Sequence, residues 1–202
     1  MSKKINPLKI LASTFLLCYS AAQLSGCAVV AAGSAVTTGA LVTQDRRTNG
    51  TIVEDKSIEL KATQAMYKVL NAEPKPNIKI VSYNNNVLLL GQSPNARIRS
   101  EVEQAIKRIE KVRSVHNEIK IEPDHSLKEQ SNDAWITAKI KSGMLLTKHF
   151  KATRVKVVTE GGVVYLLGII NRSEDETAVN IARHTKGVVR VVKMFEYLPS
   201  HP

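Results

Sequence analysis

The feature that most constrains the fold of this 202-residue chain is an internal repeat. Asp55-x-x-Ile58-x-x-x-Ala62-x-x-x-Met66 recurs 78 residues later as Asp133-x-x-Ile136-x-x-x-Ile140-x-x-x-Met144. Four further blocks recur in the same order at shifts of 76 or 77 residues, and one of them pairs Leu89-Leu90-Gly91 with Leu166-Leu167-Gly168. Several blocks matched in one order predict two copies of one small fold rather than a single large domain.

Each copy predicts the order helix, strand, strand, helix, strand. In the first copy, Ile58, Ala62 and Met66 recur at helical spacing, with Asp55 near the start as a candidate cap. Strands are expected at 78–83 and 87–90, joined by a turn of three asparagines, because Asn tolerates the positive φ of a tight hairpin. The second copy has two glycines, 161 and 162, at the same place, which supports the same turn.

The end of each copy predicts a parallel strand. A second helix is expected at about 95–111, and a last strand at 115–121 pairs parallel to its predecessor through a right-handed crossover. The fold class is therefore α+β: two tandem domains, each a small mixed three-stranded sheet with two helices on one face. A domain of roughly 70 residues is close to the lower limit for a self-sufficient core, so contact between the copies or with a partner is expected to add stability.

The N-terminus is typical of a bacterial lipoprotein. Lys3, Lys4 and Lys9 precede or enter an apolar run, which is followed by Leu24-Ser25-Gly26-Cys27, a lipobox. We predict that residues 1–26 are the signal peptide and that Cys27 is lipidated. An uncleaved signal anchor is the alternative, because apolar residues continue to position 42. Residue 28 is Ala rather than the Asp that commonly retains lipoproteins at the inner membrane, so we expect a lipid anchor in the outer membrane.

The composition of the chain predicts the boundaries of the tether, the two domains and the linker. Residues 27–50 are small, apolar and hydroxylated and predict a lipidated tether, with Asn49-Gly50-Thr51 as a turn. The first domain is expected at 51–122, a polar linker at 123–130 and the second domain at 131–199.

The residues that carry most enzyme chemistry are absent or scattered. After residue 27 there is no cysteine, which excludes disulfides and thiolate metal sites from both domains. The five histidines lack the spacing of a metal pair: His116, His125, His149, His184 and His201. There is no Gly-x-Ser-x-Gly, phosphate loop or dinucleotide motif. We therefore expect no enzyme, no cofactor and no small-molecule substrate. The net charge of +11 suits nucleic acid, but the secretion signal removes that partner.

The two copies differ on one surface of their first helix. Trp135 occupies the position of Ser57, and it lies away from the core face in one stripe with Lys139, Ser142 and Leu146. From 133 to 156 there are six basic residues against one acid, whereas 55–79 has five lysines against three acids. An exposed tryptophan beside lysines suits an anionic bilayer.

The candidate lipid-binding residues are Trp135, Lys139, Lys141, Ser142 and Leu146. The alternative for Trp135 is a half-buried residue that packs against the neighbouring domain or the linker, because tryptophan is usually largely buried.

The pattern resembles a known family, the BON domain. The resemblance lies in Gly91 and Gly168 after an apolar strand, in the helix that follows, and in the Val-x-x-Val of the last strand. The segments 91–96 (Gly-Gln-Ser-Pro-Asn-Ala) and 131–137 (Ser-Asn-Asp-Ala-Trp-Ile-Thr) resemble dual-BON envelope lipoproteins in particular. This resemblance implies a non-enzymatic protein of the periplasmic side of the outer membrane. It also implies that the second domain binds anionic phospholipid, and that the protein supports outer-membrane integrity and accumulates at the division site. The alternative function is a scaffold whose domains dock an envelope protein.

Overall fold

The computed structural model describes residues 45–70, 77–122 and 127–199, which belong to one compact unit. The predicted signal peptide, Cys27 and the tether up to residue 44 lie outside the described residues. Within the described ranges, every helix is too short or too polar to cross a membrane.

In its described residues, the first domain contains two helices and four strands. They are α1 (Asn49–Val69), β1 (Ile78–Tyr83), β2 (Asn86–Ser93), α2 (Ala96–Lys107), β3 (Ser114–Asn117) and β4 (Lys120–Ile121). The antiparallel hairpin of β1 and β2 turns at Asn84 and Asn85, which both have positive φ, as predicted. The predicted last strand is interrupted, and its two pieces, β3 and β4, both run parallel to β2.

The second domain repeats the same order. Its elements are α3 (Leu127–Leu146), a short 3-10 helix (Ala152–Arg154), β5 (Val155–Glu160), β6 (Val163–Ile170), α4 (Arg172–Arg183) and β7 (Arg190–Tyr197). Gly161 and Gly162 form the turn with positive φ. Gly91 lies opposite Ile78 and Gly168 lies opposite Val155, so the two hairpins share one register. The predicted α+β class and the two copies of α-β-β-α-β are confirmed.

The first helix of each domain begins earlier in the chain than the sequence predicts. The Thr48 side chain accepts a hydrogen bond from the Thr51 amide and caps α1, so the predicted turn at 49–51 is helical. Helix α3 begins at Leu127, inside the predicted linker 123–130, because Lys128, Glu129 and Gln130 are good helix formers.

Asp55 is not a helix cap, contrary to the prediction. It lies in the second turn of α1, is buried, and accepts hydrogen bonds from the backbone amides of Asn84 and Asn85 at 2.9 and 2.8 Å. Asp133 of α3 accepts in the same way from the amides of Gly161 and Gly162, at 2.7 and 2.9 Å. The repeated aspartate therefore ties the first helix of each domain to the turn of its own hairpin.

The molecule has four layers, in the order helices, sheet, sheet, helices. In β2, Val87 and Leu89 face the first domain's helices, whereas Leu88 and Leu90 face the second sheet. Strand β6 alternates likewise, with Leu166 toward its own helices. One inner core therefore joins the two sheets; its buried members are Val81, Tyr83, Leu88, Leu90, Val163, Tyr165 and Leu167.

Ion pairs between the domains surround the inner core. The equivalent lysines Lys79 and Lys156 each reach a glutamate of the other domain, at 3.0 Å to Glu160 and 3.3 Å to Glu59. Because each sheet has helices on one face and the other sheet on its opposite face, the helices α1 and α3 lie in opposite outer layers of the molecule.

Candidate functional site

Helix α3 is held firmly against its own sheet. Ile136, Ile140 and Met144 are fully buried in the second domain's core. The carboxylate of Asp133 binds the hairpin turn, and the Thr137 hydroxyl donates to the Thr159 hydroxyl at 2.7 Å. Since this face is fixed, the opposite face of α3 points to solvent.

The candidate lipid-binding residues all lie on that solvent face. Trp135 is 45% exposed and Leu146 is 85% exposed, while Lys139, Lys141 and Ser142 are exposed as well. The Lys139 ammonium lies 5.6 Å from the centre of the Trp135 ring, within the range of a cation–π contact. We call this set of five residues the α3 stripe.

The positive charge near the α3 stripe comes from four lysines. Lys139, Lys141, Lys148 and Lys151 are exposed and have no carboxylate partner among the described residues. The two remaining basic residues of the 133–156 segment are used inside the molecule, because Arg154 pairs with Glu174 and Lys156 with Glu59. Burial lowers the pKa of Lys156, although Glu59 opposes that effect. The simple count of six basic residues therefore overstates the charge available to a ligand.

Two arginines outside the repeated sequence blocks, Arg46 and Arg47, join the domains just before α1. Arg46 donates to the carbonyl of Ile169 at 2.8 Å and pairs with Glu174 in the second domain. Arg47 pairs with Asp55 at 2.9 Å and lies 4.0 Å above the ring of Tyr83 in the first domain. We call this pair the arginine clasp. It holds the segment that follows the tether to both domains.

Comparison with known proteins identifies the domains. A family model for the BON domain matches residues 55–123 and 132–199. The chain belongs to the BON-domain family. The first and second domains are called BON1 and BON2 below.

Two relatives match most of this chain. The outer membrane lipoprotein DolP of Haemophilus influenzae is 38% identical over 195 residues, which are 96% of this chain and 98% of that protein. The 21 kDa hemolysin of Actinobacillus pleuropneumoniae is 34% identical over 154 residues, covering 76% of this chain and 79% of that one. The predicted dual-BON lipoprotein with an outer-membrane location is confirmed by the first of these relatives.

One solved structure matches at a low level of similarity. A structure of CdsD, a structural protein of the type III secretion system of Chlamydia trachomatis, matches with a TM-score of 0.30 and 14% identity. It covers 68% of this chain and 92% of that one. A likeness this distant has no bearing on function.

The described residues contain no cluster of side chains suited to a metal ion. Groups of three or more histidine, cysteine, aspartate or glutamate side chains that could hold a metal ion are absent from the described part of the chain. The groups that the α3 stripe exposes are apolar, hydroxyl and cationic.

The arginine clasp should make BON2 sensitive to acid. Burial raises the pKa of the Glu174 carboxyl, but hydrogen bonds from Arg46, the Asn171 amide and Arg154 outweigh it, so the pKa lies below its ordinary value. A lowered pKa stabilises the folded state fully above the ordinary value of 4.5, and that contribution is lost as the pH falls through the folded pKa.

We expect Arg46→Ala to raise the pKa of Glu174 and to move acid unfolding to higher pH, as measured by urea unfolding at a series of pH values. Arg97→Ala, which removes an exposed pair with Glu101, is the control and should leave the acid transition unchanged. An acid transition of Arg46→Ala identical to that of the wild type would show that the clasp does not stabilise the fold.

Proposed function

We propose that this non-enzymatic envelope lipoprotein binds anionic phospholipid through the α3 stripe of BON2. The observation that carries this proposal is the exposed Trp135, with four exposed lysines that lack carboxylate partners among the described residues. An indole ring is most stable at the depth of the lipid headgroups. Each lysine near an anionic surface contributes about 1 kcal/mol.

The α3 stripe acts together with the lipid anchor. We propose that Cys27 carries acyl chains, which alone hold the protein at the membrane. Seventeen residues lie between Cys27 and Asp45, the first described residue. That length reaches about 60 Å at most. Attachment through α3 then sets the orientation of the two BON domains on the membrane. By its resemblance to dual-BON lipoproteins, we further propose that the protein supports outer-membrane integrity and acts at the division site.

The competing use of Trp135 is a protein contact. If Trp135 had a structural role within this chain, its ring would be covered by BON1 or by the linker. In the described residues, almost half of the Trp135 surface is exposed, and the inner faces of both sheets are already occupied by each other. These observations argue against a contact of Trp135 within the molecule and leave its ring available to lipid.

The test is sedimentation with vesicles. The mature chain from residue 27, with Cys27→Ser so that no lipid is attached, is mixed with phosphatidylglycerol or phosphatidylcholine vesicles. We expect binding to phosphatidylglycerol, weakened by salt because the Debye length is about 8 Å at physiological ionic strength. Trp135→Ala should weaken this binding. Lys139→Glu and Lys141→Glu should each weaken it by about 1–2 kcal/mol, since a reversal removes an attraction and adds a repulsion.

The repeat supplies matched controls for this test. Ser57→Ala and Lys61→Glu change the equivalent positions of BON1 and should have much smaller effects on vesicle binding. All of these variants should remain folded, because the substituted side chains lie outside the core of BON1, the core of BON2 and the inner core between the sheets. The proposal fails if Trp135→Ala leaves the affinity of the folded protein for phosphatidylglycerol unchanged.

A further inference from the structure

Helix α1 of BON1 has an exposed apolar ridge of its own. Val53, Leu60 and Tyr67 are 69%, 61% and 40% exposed and lie seven residues apart. Residues at this spacing drift by only about 20° per step around a helix, so they form one line about 21 Å long. We call these three residues the α1 ridge.

The fold does not require the α1 ridge. The equivalent positions of α3, at the 78-residue shift, are Ser131, Ala138 and Leu145. Two of the three are therefore small in BON2, although α3 packs on its sheet in the same way. The ridge belongs to BON1 alone, just as Trp135 belongs to BON2 alone. The two copies have diverged on their outer surfaces while keeping the same cores.

The charge beside the α1 ridge is positive. The acids of α1 are used within the molecule, because Glu54 pairs with Lys111 at 2.6 Å and Glu59 with Lys156 and Lys56. The third acid, Asp55, is buried against the hairpin turn. Lys61 and Lys68 are exposed along one side of the ridge and have no ion-pair partner among the described residues. An acidic ligand surface would complement this side.

The position of α1 argues against the membrane as the ligand. Because α1 and α3 lie in opposite outer layers, one flat bilayer cannot contact both helices. This step rests on the proposed function, which assigns the bilayer to α3. The α1 ridge then faces away from the outer membrane, into the periplasm.

We propose that the α1 ridge docks an envelope protein through an amphipathic helix that has an apolar seam and acidic flanks. Apolar residues seven apart stay on one line of the helix surface, so a second helix that lies alongside α1 can cover all three of them. Acidic side chains along the partner helix would meet Lys61 and Lys68, and its apolar seam would cover Val53, Leu60 and Tyr67.

Two synthetic helices test this docking surface. Both match the 21 residues of α1 in length and carry a leucine seam, and they differ only in having glutamate or lysine flanks. Binding of the labelled peptides to the mature chain with Cys27→Ser is followed by fluorescence anisotropy. We expect the glutamate-flanked peptide to bind more tightly than the lysine-flanked peptide. Leu60→Glu should weaken that binding by about tenfold or more. Leu146→Glu, on the opposite layer, is the control and should leave it unchanged.

Other outcomes would overturn the proposal. Equal affinities for the two peptides, or no binding of the glutamate-flanked peptide below about 1 mM, would show that the ridge does not select such a helix. A wild-type dimer that Leu60→Glu converts to a monomer would identify a second copy as the ligand. Loss of vesicle binding in Leu60→Glu would identify the membrane. The lipid proposal fails separately, through Trp135→Ala. Circular dichroism and urea unfolding verify that each variant is folded.

Discussion

Replacing Gly91 by alanine is expected to lower the free energy of unfolding by about 3 kcal/mol or more. A Cβ atom at this position would lie 1.8 Å from the carbonyl oxygen of Asn77, and the residue has a φ of +107°. Because the obstacle is backbone rather than a flexible side chain, the start of β1 would have to separate from β2. Urea unfolding followed by circular dichroism measures the loss.

Gly50 provides the control for this substitution. It lies in the first turn of α1, and its nearest neighbour would be the Thr48 hydroxyl oxygen, 3.7 Å from an added Cβ. Gly50→Ala should therefore be neutral or stabilising by up to about 1 kcal/mol, because alanine favours the helix. A Gly91→Ala protein as stable as the wild type would contradict the geometry of the hairpin.

Truncation of Leu88 is expected to destabilise both BON domains together. This side chain belongs to β2 of BON1, is fully buried, and packs in the inner core with residues of BON2 such as Tyr165 and Leu167. Leu88→Ala should lower the free energy of unfolding by about 2–5 kcal/mol, from lost burial and from the cavity that remains.

The single tryptophan lies in BON2, so its fluorescence reports on that domain. We expect the tryptophan transition of Leu88→Ala to shift to lower urea concentration together with the transition seen by circular dichroism. Leu60→Ala, at an exposed position of BON1, should shift neither transition. A tryptophan transition that stays in place while BON1 unfolds would show that the two domains are energetically independent.

The local structure of each copy was predictable from the sequence because it depends on short-range patterns. Apolar residues at helical spacing mark the buried faces of α1 and α3, and the paired Asn and Gly residues with positive φ mark both hairpin turns. The repeat doubled each of these signals. The α3 stripe was recognisable for the same reason, since the comparison of Trp135 with Ser57 needs no knowledge of the fold.

The contacts that depend on tertiary structure were not predictable. Asp55 resembles a cap in sequence, and only the approach of the hairpin turn shows that it binds backbone amides there. The arginine clasp joins Arg46 to Glu174, 128 residues away, and no local pattern indicates such a partner. One signal of the inner core was visible, because the continuous apolar run of β2 is typical of a strand that is buried on both faces.

The emission of Trp135 reports directly on contact between the α3 stripe and lipid, because the chain has no other tryptophan. The measurement is its fluorescence in phosphatidylglycerol vesicles that contain lipids brominated along the acyl chain near the headgroup. If Trp135 enters the bilayer at headgroup depth, its emission should shift to shorter wavelength and be strongly quenched. Both effects should reverse in high salt and be absent in phosphatidylcholine vesicles. Unchanged, unquenched emission from protein that sediments with the phosphatidylglycerol vesicles would show that lipid is bound somewhere other than the α3 stripe.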